Sequence, residues 1–346
     1  MIILLNPYLI WTRPAIMNTN TSSSARRAAT ALQPAREGEN GLFTQSWFPI
    51  CLSDEVSRAE VKGFDFLDGR VVVMRGEDGT AQVLSAYCPH LGADLAVGCV
   101  IGNHLRCAFH HWEYDYTGAC VQTGCGDAAP RNARVFRFPT AEHFGVIYAF
   151  NGETALFALP GFEYPEEQLL WRSVRFDQEF PVDPWVIACN TPDMQHIRVV
   201  HRILFDSDPA DAVTWTDHSM LYDFAGTHAT GERICFRVGI YGTSIYYQAG
   251  VMAGRWFGFI SPMGLPRPQR TSGFLTLAVR RDEADAQSHL QSVIDLERRV
   301  VGEDQDILRT IRFRPGSLTA SDRTLSKFLR YLKRYPRAHP AREFIG

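Results

Sequence analysis

Two short stretches set cysteine and histidine at spacings that suit a metal: Cys88-Pro-His90 and, after an interval of 16 residues, Cys107-Ala-Phe-His110. Two Cys–His pairs on two loops offer four ligands, the number required by a cluster of two irons and two sulfides. Two thiolates on one iron and two neutral imidazoles on the other raise the reduction potential above that of an all-cysteine cluster. Structural zinc sites usually combine C-x-x-C with H-x-x-x-H or with a second C-x-x-C, so the C-x-H and C-x-x-H split argues for the cluster. His111 is adjacent to His110, but the spacing selects His110. Gly92 and Gly118 suit tight loops whose amides can face cluster sulfurs, and Leu91, Phe109 and Trp112 are expected to shield the site from water. Cys51, Cys99, Cys120, Cys125, Cys189 and Cys235 fall outside the ligand set and are expected to be buried thiols.

A second constellation lies in Asn190-Thr-Pro-Asp-Met-Gln-His-Ile-Arg-Val-Val-His201, where Asp193, His196 and His201 follow one another. Two imidazoles and one carboxylate can occupy one face of Fe(II) and leave positions open for dioxygen and substrate. Thr191 and Pro192 predict a helix start, which puts Asp193 and His196 on one face. On a regular helix His196 and His201 would diverge by about 140°. If both bind one iron, the helix must break or carry a π-type turn. The plain alternative is a pair of histidines that face solvent or sit satisfied in the core.

For the carboxylate, Leu290, Val293, Ile294, Val300, Val301, Ile307, Leu308 and Ile311 recur at helical spacing, and Asp304 falls near the middle of their stripe. A lone carboxylate there is costly to bury unless it is paired or bound to a metal. Asp306 lies about 200° further round, among polar residues. Glu297 shares the stripe seven residues earlier and is an alternative ligand, and Gly302 is a possible interruption of the helix.

The elements that must position these residues fall into two groups. From Trp47 to about Asn151 the chain reads as short β-type runs, such as Gly69–Met74, Val135–Phe138 and Val146–Phe150, separated by Gly and Asp turns. Beyond a linker with Pro160, Gly161 and Pro165, strands mix with helical stretches near 192–202 and 286–312. The expectation is an α+β chain with three parts: a disordered lead over 1–42, a small all-β cluster domain over 43–158 and a larger catalytic domain over 159–346. Met17 is an alternative start within the lead, which is rich in Ser, Thr, Ala, Arg and Asn.

With these residues and motifs in hand, the chain resembles the oxygenase subunits of Rieske non-haem iron enzymes from about residue 45 to the C-terminus. In motif style, Cys88-Pro-His-Leu-Gly-Ala93 and the run from Cys107 to Cys120 are similar to aminopyrrolnitrin oxygenase and the steroid hydroxylase and cholesterol desaturase group. The resemblance implies a Rieske [2Fe–2S] domain joined to a helix-grip domain with an antiparallel sheet, a mononuclear Fe(II) centre and a homotrimer. Asp193, His196 and His201 match the family's D-x-x-H-x-x-x-x-H pattern, which implies His196 and His201 as iron ligands. It further implies that Asp193 bridges His196 to His110 of a neighbouring subunit. An amide or carboxylate stands near the iron at the position of Asn190, whose plainer role is a turn residue. The family's ligand aspartate precedes an apolar pair, here Ile307 and Leu308, in agreement with Asp304.

The charge balance, 35 basic against 38 acidic residues and a net −3, argues against nucleic acid or an anionic membrane as partner. The apolar Met1–Ile10 stretch is too short to span a bilayer, and cysteines at metal-ligand spacing favour a reducing, cytoplasmic compartment. Phe205, Trp215, Tyr222, Phe224, Tyr241, Tyr246, Tyr247, Trp256 and Phe257 are candidates for an apolar cavity wall, with Arg233, Arg237 and Arg255 as possible carboxylate clamps. No G-x-G-x-x-G follows a strand, so NAD(P)H is expected to contribute only through a separate reductase or ferredoxin. The basic run Arg323, Lys327, Arg330, Lys333, Arg334 and Arg337 is either a docking face for that donor or a solvated helix face. The expected activity is oxidation, with monooxygenation preferred, of a small, largely apolar aromatic or polycyclic substrate by dioxygen. Amine N-oxygenation, desaturation and dealkylation are variants of it. A Rieske electron carrier with an unrelated second domain and a binding-only helix-grip module are the rivals.

Overall fold

The computed structural model describes residues 32–346. Most of the expected disordered lead, Met17 included, lies outside the described residues. Its last part departs from the expectation. Glu37 is buried, accepts from the amide and hydroxyl of Thr44 at 2.9 and 2.8 Å, and donates its own amide to Asp183 at 3.1 Å. A buried backbone so fully hydrogen-bonded belongs to the fold.

The first domain is built from small antiparallel sheets. Trp47–Leu52 pairs with Val146–Phe150, which pairs with Thr140–His143; Glu60–Phe66, Gly69–Arg75 and Ala81–Ser85 form a second sheet. Cys99–Ile101, His104–Arg106, Glu113–Tyr114 and Cys120–Gln122 form a third, four-stranded sheet. The Cys88–His90 segment leads into this sheet, and Cys107–His110 connects two of its strands.

The second domain is an eight-stranded antiparallel sheet in which Leu169–Phe180, Arg270–Arg280, Arg255–Arg267, Ile245–Met252, Arg233–Tyr241, Ser219–His228 and Ile203–Phe205 neighbour one another in that order, with Thr214–Trp215 beside Ser219–His228. The long helix Ala286–Leu308 packs on the strands Leu169–Phe180 and Arg270–Arg280. Strand alternation explains the burial: in Arg233–Tyr241, Ile234, Phe236, Val238 and Ile240 face the core while Arg233, Cys235 and Arg237 face out. Each such core side chain contributes about 1.5–3 kcal/mol by leaving water. The same alternation corrects the expectation for Cys235, which is exposed, and Cys99 and Cys125 are exposed as well.

Helices form where expected, with different bounds. The expected stretch near 192–202 is helical only over Met194–Val199, with a separate short helix Pro184–Ala188 before it, and the second runs unbroken through Gly302 to Leu308. Its buried residues end with Leu308, while Ile307 and Ile311, expected to lie on the stripe, are 48% and 37% exposed. The expected aromatic wall also divides. Tyr222, Phe224 and Phe257, with Phe205, Trp215 and Tyr246 against them, share the core with the long helix. Tyr247 and Trp256, with Tyr241, belong to a separate cluster with strands of the first domain, because alternate residues of one strand serve opposite faces.

The last residues return to the first domain. Arg337–Ala338 pairs with Phe43–Thr44, the amide of Asn151 donates to the carbonyls of Phe43, Thr44 and Ala338, and Leu265, Ala341 and Ile345 are part of that domain's core.

Candidate metal centres

Two loops of similar construction present the Cys–His pairs. In the first, Cys88 N donates to Ala93 O at 2.9 Å and Gly92 N to Cys88 O at 2.8 Å. In the second, Cys107 N donates to Trp112 O at 2.9 Å and His111 N to Cys107 O at 3.1 Å. Each closes through a residue with positive φ, Gly92 at 77° and His111 at 54°. His111 therefore serves as the turn residue. Cys88 and Cys107 are buried and in contact, while the rings of His90 and His110 meet edge to face at 4.5 Å above them. Thiols lie inside and imidazoles outside, with His110 exposed.

Trp112 stacks on His90 at 4.3 Å and 7°, which fixes the plane of that ring. Leu91 is 67% exposed and leaves the site open, while Phe109, itself 61% exposed, lays its ring 3.8 Å from that of His110. The Tyr114 hydroxyl lies 2.9 Å from Cys88 Sγ. Burial first, and then the neighbouring thiols, push the Tyr114 phenol up, so it is a proton donor to a thiolate rather than a charge beside it. Tyr114 sits within the Cys107–Cys120 stretch on the strand Glu113–Tyr114, and nothing in the sequence spacing singles it out. His90 Nδ1 is buried with no protein partner. A buried orphan nitrogen over two buried thiols fits a cluster iron.

In the second domain, Asp193 caps the helix Met194–Val199, with Oδ1 accepting from the amides of Gln195 and His196 at 3.0 Å each. The start thus falls later than Thr191–Pro192. The helix ends at Val199, and Arg202, immediately after His201, has φ 55°. That break removes the angular mismatch of a continuous helix. The Nε2 atoms of His196 and His201 come within 2.9 Å, and Asp304 Oδ1 lies 3.4 and 3.8 Å from them. Two nitrogens about 2.1 Å from one metal at right angles would be about 3 Å apart. His196, His201 and Asp304 are the group of potential ligands that converges here among the described residues.

Neighbours hold this group in place. Asn190 Nδ2 donates to Asp304 Oδ2 at 3.1 Å, and His201 Nδ1 lies 3.1 Å from Glu303 Oε2. Glu303 was not singled out in the sequence, where only its adjacency to Asp304 marks it. Asp304 Oδ1 is buried without a hydrogen bond, the state expected of a ligand atom, so the donor set fits a metal. The side chain of Asp306 is 93% exposed and 3.8 Å from Arg309, and Glu297 stands outside the converging group. The proposed clamps are engaged elsewhere: Arg233 with Asp206, Arg237 with Asp223, and Arg255 with Glu283 and Asp285. On the basic helix, Arg323 pairs with Asp208 and Asp211 and Lys327 covers the Trp215 ring.

Comparison with known proteins bears on both centres. The family model of the Rieske [2Fe-2S] domain matches residues 46–139. Cholesterol 7-desaturase of Bombyx mori is 30% identical over 210 residues, 60% of this chain and 44% of the relative. Aminopyrrolnitrin oxygenase of Pseudomonas fluorescens is 36% identical over 172 residues, 46% of each chain. The oxygenase component of dicamba O-demethylase from Stenotrophomonas maltophilia is 29% identical over 170 residues, 48% of this chain and 50% of the relative. The chain thus spans half or less of the length of these relatives. In fold, it matches the crystal structure of dicamba monooxygenase bound to dicamba with a TM-score of 0.64 at 19% identity, over 84% of this chain and 97% of that one.

Proposed function

The chain carries a Rieske [2Fe–2S] domain and has the two-domain fold of a Rieske oxygenase component; from that premise we propose that it oxidises a small, largely apolar aromatic or polycyclic substrate with dioxygen, most simply by monooxygenation. The observation that carries the reading is the meeting of His196, His201 and Asp304 in a chain that also holds a Cys88, His90, Cys107, His110 set. An electron carrier has no use for the second group.

When bound, the cluster supplies single electrons and the mononuclear Fe(II) supplies the centre at which dioxygen is reduced. The protein's part is positioning. Asn190 holds one oxygen of Asp304 and leaves the other toward the imidazoles, and Glu303 accepts from His201 Nδ1 and fixes that ring. Tyr114 donates toward Cys88, and Trp112 holds the His90 plane. Tyr222, Phe224 and Phe257 belong to the apolar core of the same domain, and the Tyr222 hydroxyl donates to Thr191 O beside Asn190.

The electrons come from a separate reductase or ferredoxin. A homotrimer accounts for two otherwise costly surfaces: the Leu91 and Phe109 tip beside His110, and Val199 and Leu204, 74% and 75% exposed beside His201. Docking one on the other would bring Asp193 of one subunit to His110 of the next. No helix among the described residues is long and apolar enough to cross a membrane, and the thiolate ligands suit a reducing cytoplasm.

Iron and sulfide analysis of the isolated protein tests the reading: three irons and two sulfides per chain are expected. Two irons, with no oxygen consumed on reduction in the presence of candidate substrates, would reduce it to an electron carrier.

A further inference from the structure

The long helix carries a second acidic residue that the metal centre does not use. Glu297 is 4% exposed, and among the described residues no lysine, arginine or histidine pairs with it. Its Oε1 accepts from Gln248 Nε2 at 3.4 Å, and Gln248 Oε1 in turn accepts from the Tyr246 hydroxyl at 2.6 Å. Around this chain lie Leu290, Val293, Ile294, Tyr222 and Phe257 of the domain core.

Its position relative to the metal centre follows from the helix. Glu297 precedes Asp304 by seven residues, about 20° short of two full turns, so both carboxyls leave the same side about 10 Å apart along the axis. Tyr246 lies within electrostatic reach of Glu297, Tyr222 and Asp304, and Tyr222 donates to Thr191 O at 2.8 Å, beside Asn190. A polar seam therefore runs through an apolar core from the candidate iron ligand to a buried carboxyl. Burying a carboxyl with a single long hydrogen bond is costly, and a group that completes its hydrogen bonding offsets that cost. Burial pushes the Glu297 carboxyl up to about 8, so near neutrality it can both donate and accept.

We propose that Glu297, tied through Gln248 to Tyr246, is a specificity-determining residue that receives a hydroxyl or amino group at the end of an apolar substrate remote from the atom presented to the iron. The proposal rests on the oxygenase reading and names the polar feature of its substrate. Arg233, Arg237 and Arg255 are engaged at the surface, so a carboxylate substrate is not what this seam selects.

The test uses iron-replete protein and three probes of matched size, 4-tert-butylphenol, 4-tert-butylaniline and 4-tert-butyltoluene, with binding measured by calorimetry and iron content measured on the same samples. The wild type should bind the phenol or the aniline about tenfold tighter than the toluene, and which of the two gains identifies the group. Glu297→Gln should keep most of that preference, and Glu297→Leu should erase it while the cluster absorbance and three irons are retained. Three irons with no preference in the wild type, or a preference unchanged in Glu297→Leu, overturns the proposal and leaves the oxygenase reading standing. Two irons per chain overturns the oxygenase reading itself.

Discussion

Asn190 and Asp304, 114 residues apart in sequence, are joined by a hydrogen bond of 3.1 Å from Nδ2 to Oδ2. One carboxylate oxygen is thereby committed to an amide, and the other, Oδ1, is left buried and turned toward His196 and His201. A carboxylate restrained in this way is set for monodentate binding.

Asp304→Ala should lose the mononuclear iron and keep the visible absorption of the cluster. Asp306→Ala should keep both, since that side chain points to solvent. Metal analysis with an absorption spectrum decides, and loss of iron in Asp306→Ala alone would reverse the assignment.

Glu303 touches the candidate metal centre through His201 Nδ1. Glu303→Ala should weaken iron retention about 10- to 100-fold against a chelator, with the cluster undisturbed. Unchanged release kinetics would show that the His201 ring is held by packing alone.

Asp193 caps a helix and, in the proposed reading, bridges the two metal centres; asparagine separates the two roles. Asparagine caps a helix as well as aspartate does, so Asp193→Asn should fold normally and hold both metal centres. Turnover should nevertheless fall nearly to zero if the proposed charged bridge between centres carries the electron. Full activity with normal metal content would remove Asp193 from the electron path.

The exposed tip of the first domain should be an assembly surface. Leu91→Glu combined with Phe109→Glu should convert the assembly to monomers in sedimentation experiments and retain the cluster spectrum. A wild-type protein that already sediments as a monomer would count against the trimer.

Carboxyls that burial pushes up contribute to the pH dependence of stability, Asp183 among them. Burial pushes Glu297 from 4.5 up to about 8 and Glu37 from 4.5 up to about 7. Glu297 faces Gln248, Tyr246 and, further along, Asp304; Glu37 faces Thr44, Asp183 and Arg337. The folded state retains protons that the unfolded chain releases above about 4.5, so this contribution is full below that pH and is lost as pH rises toward 7 to 8. Glu297→Gln should flatten the decline of the thermal midpoint between pH 5 and 8. An identical slope in the variant would mean that Glu297 is ionised throughout.

The candidate cluster ligands Cys88, His90, Cys107 and His110 could be picked out because they are local in sequence and their spacing carries the chemistry, and the structure brings Cys88 to Cys107 and His90 to His110. Asp304 could be picked out from its place on an apolar helical stripe, and the structure brings its carboxylate to His196 and His201 while Asp306 is exposed. What the chain did not disclose depends on contacts between distant segments. The helix ends at Val199 and turns back through Arg202, which brings His201 to His196, and no residue before the break announces its position. The surface arginines read as clamps because their acidic partners, such as Asp206 and Asp223, sit on neighbouring strands whose register is a tertiary fact. Glu297 read as a rival ligand because sequence periodicity reports a helix face and not the distance along it.

The return of the C-terminal segment to the first domain bears on the order of events during synthesis. Leu265, Ala341 and Ile345 complete a core whose other members, Phe43, Phe48, Phe66 and Val71 among them, emerge from the ribosome far earlier. Domains usually close in the order in which they are made. Here the strand Phe43–Thr44 must wait for Arg337–Ala338, so the early-made half stays incomplete while the whole catalytic sheet is translated. The first domain's core is complete only once Ile345 has been made, after the last core residues of the second domain, Phe328, Leu329 and Leu332.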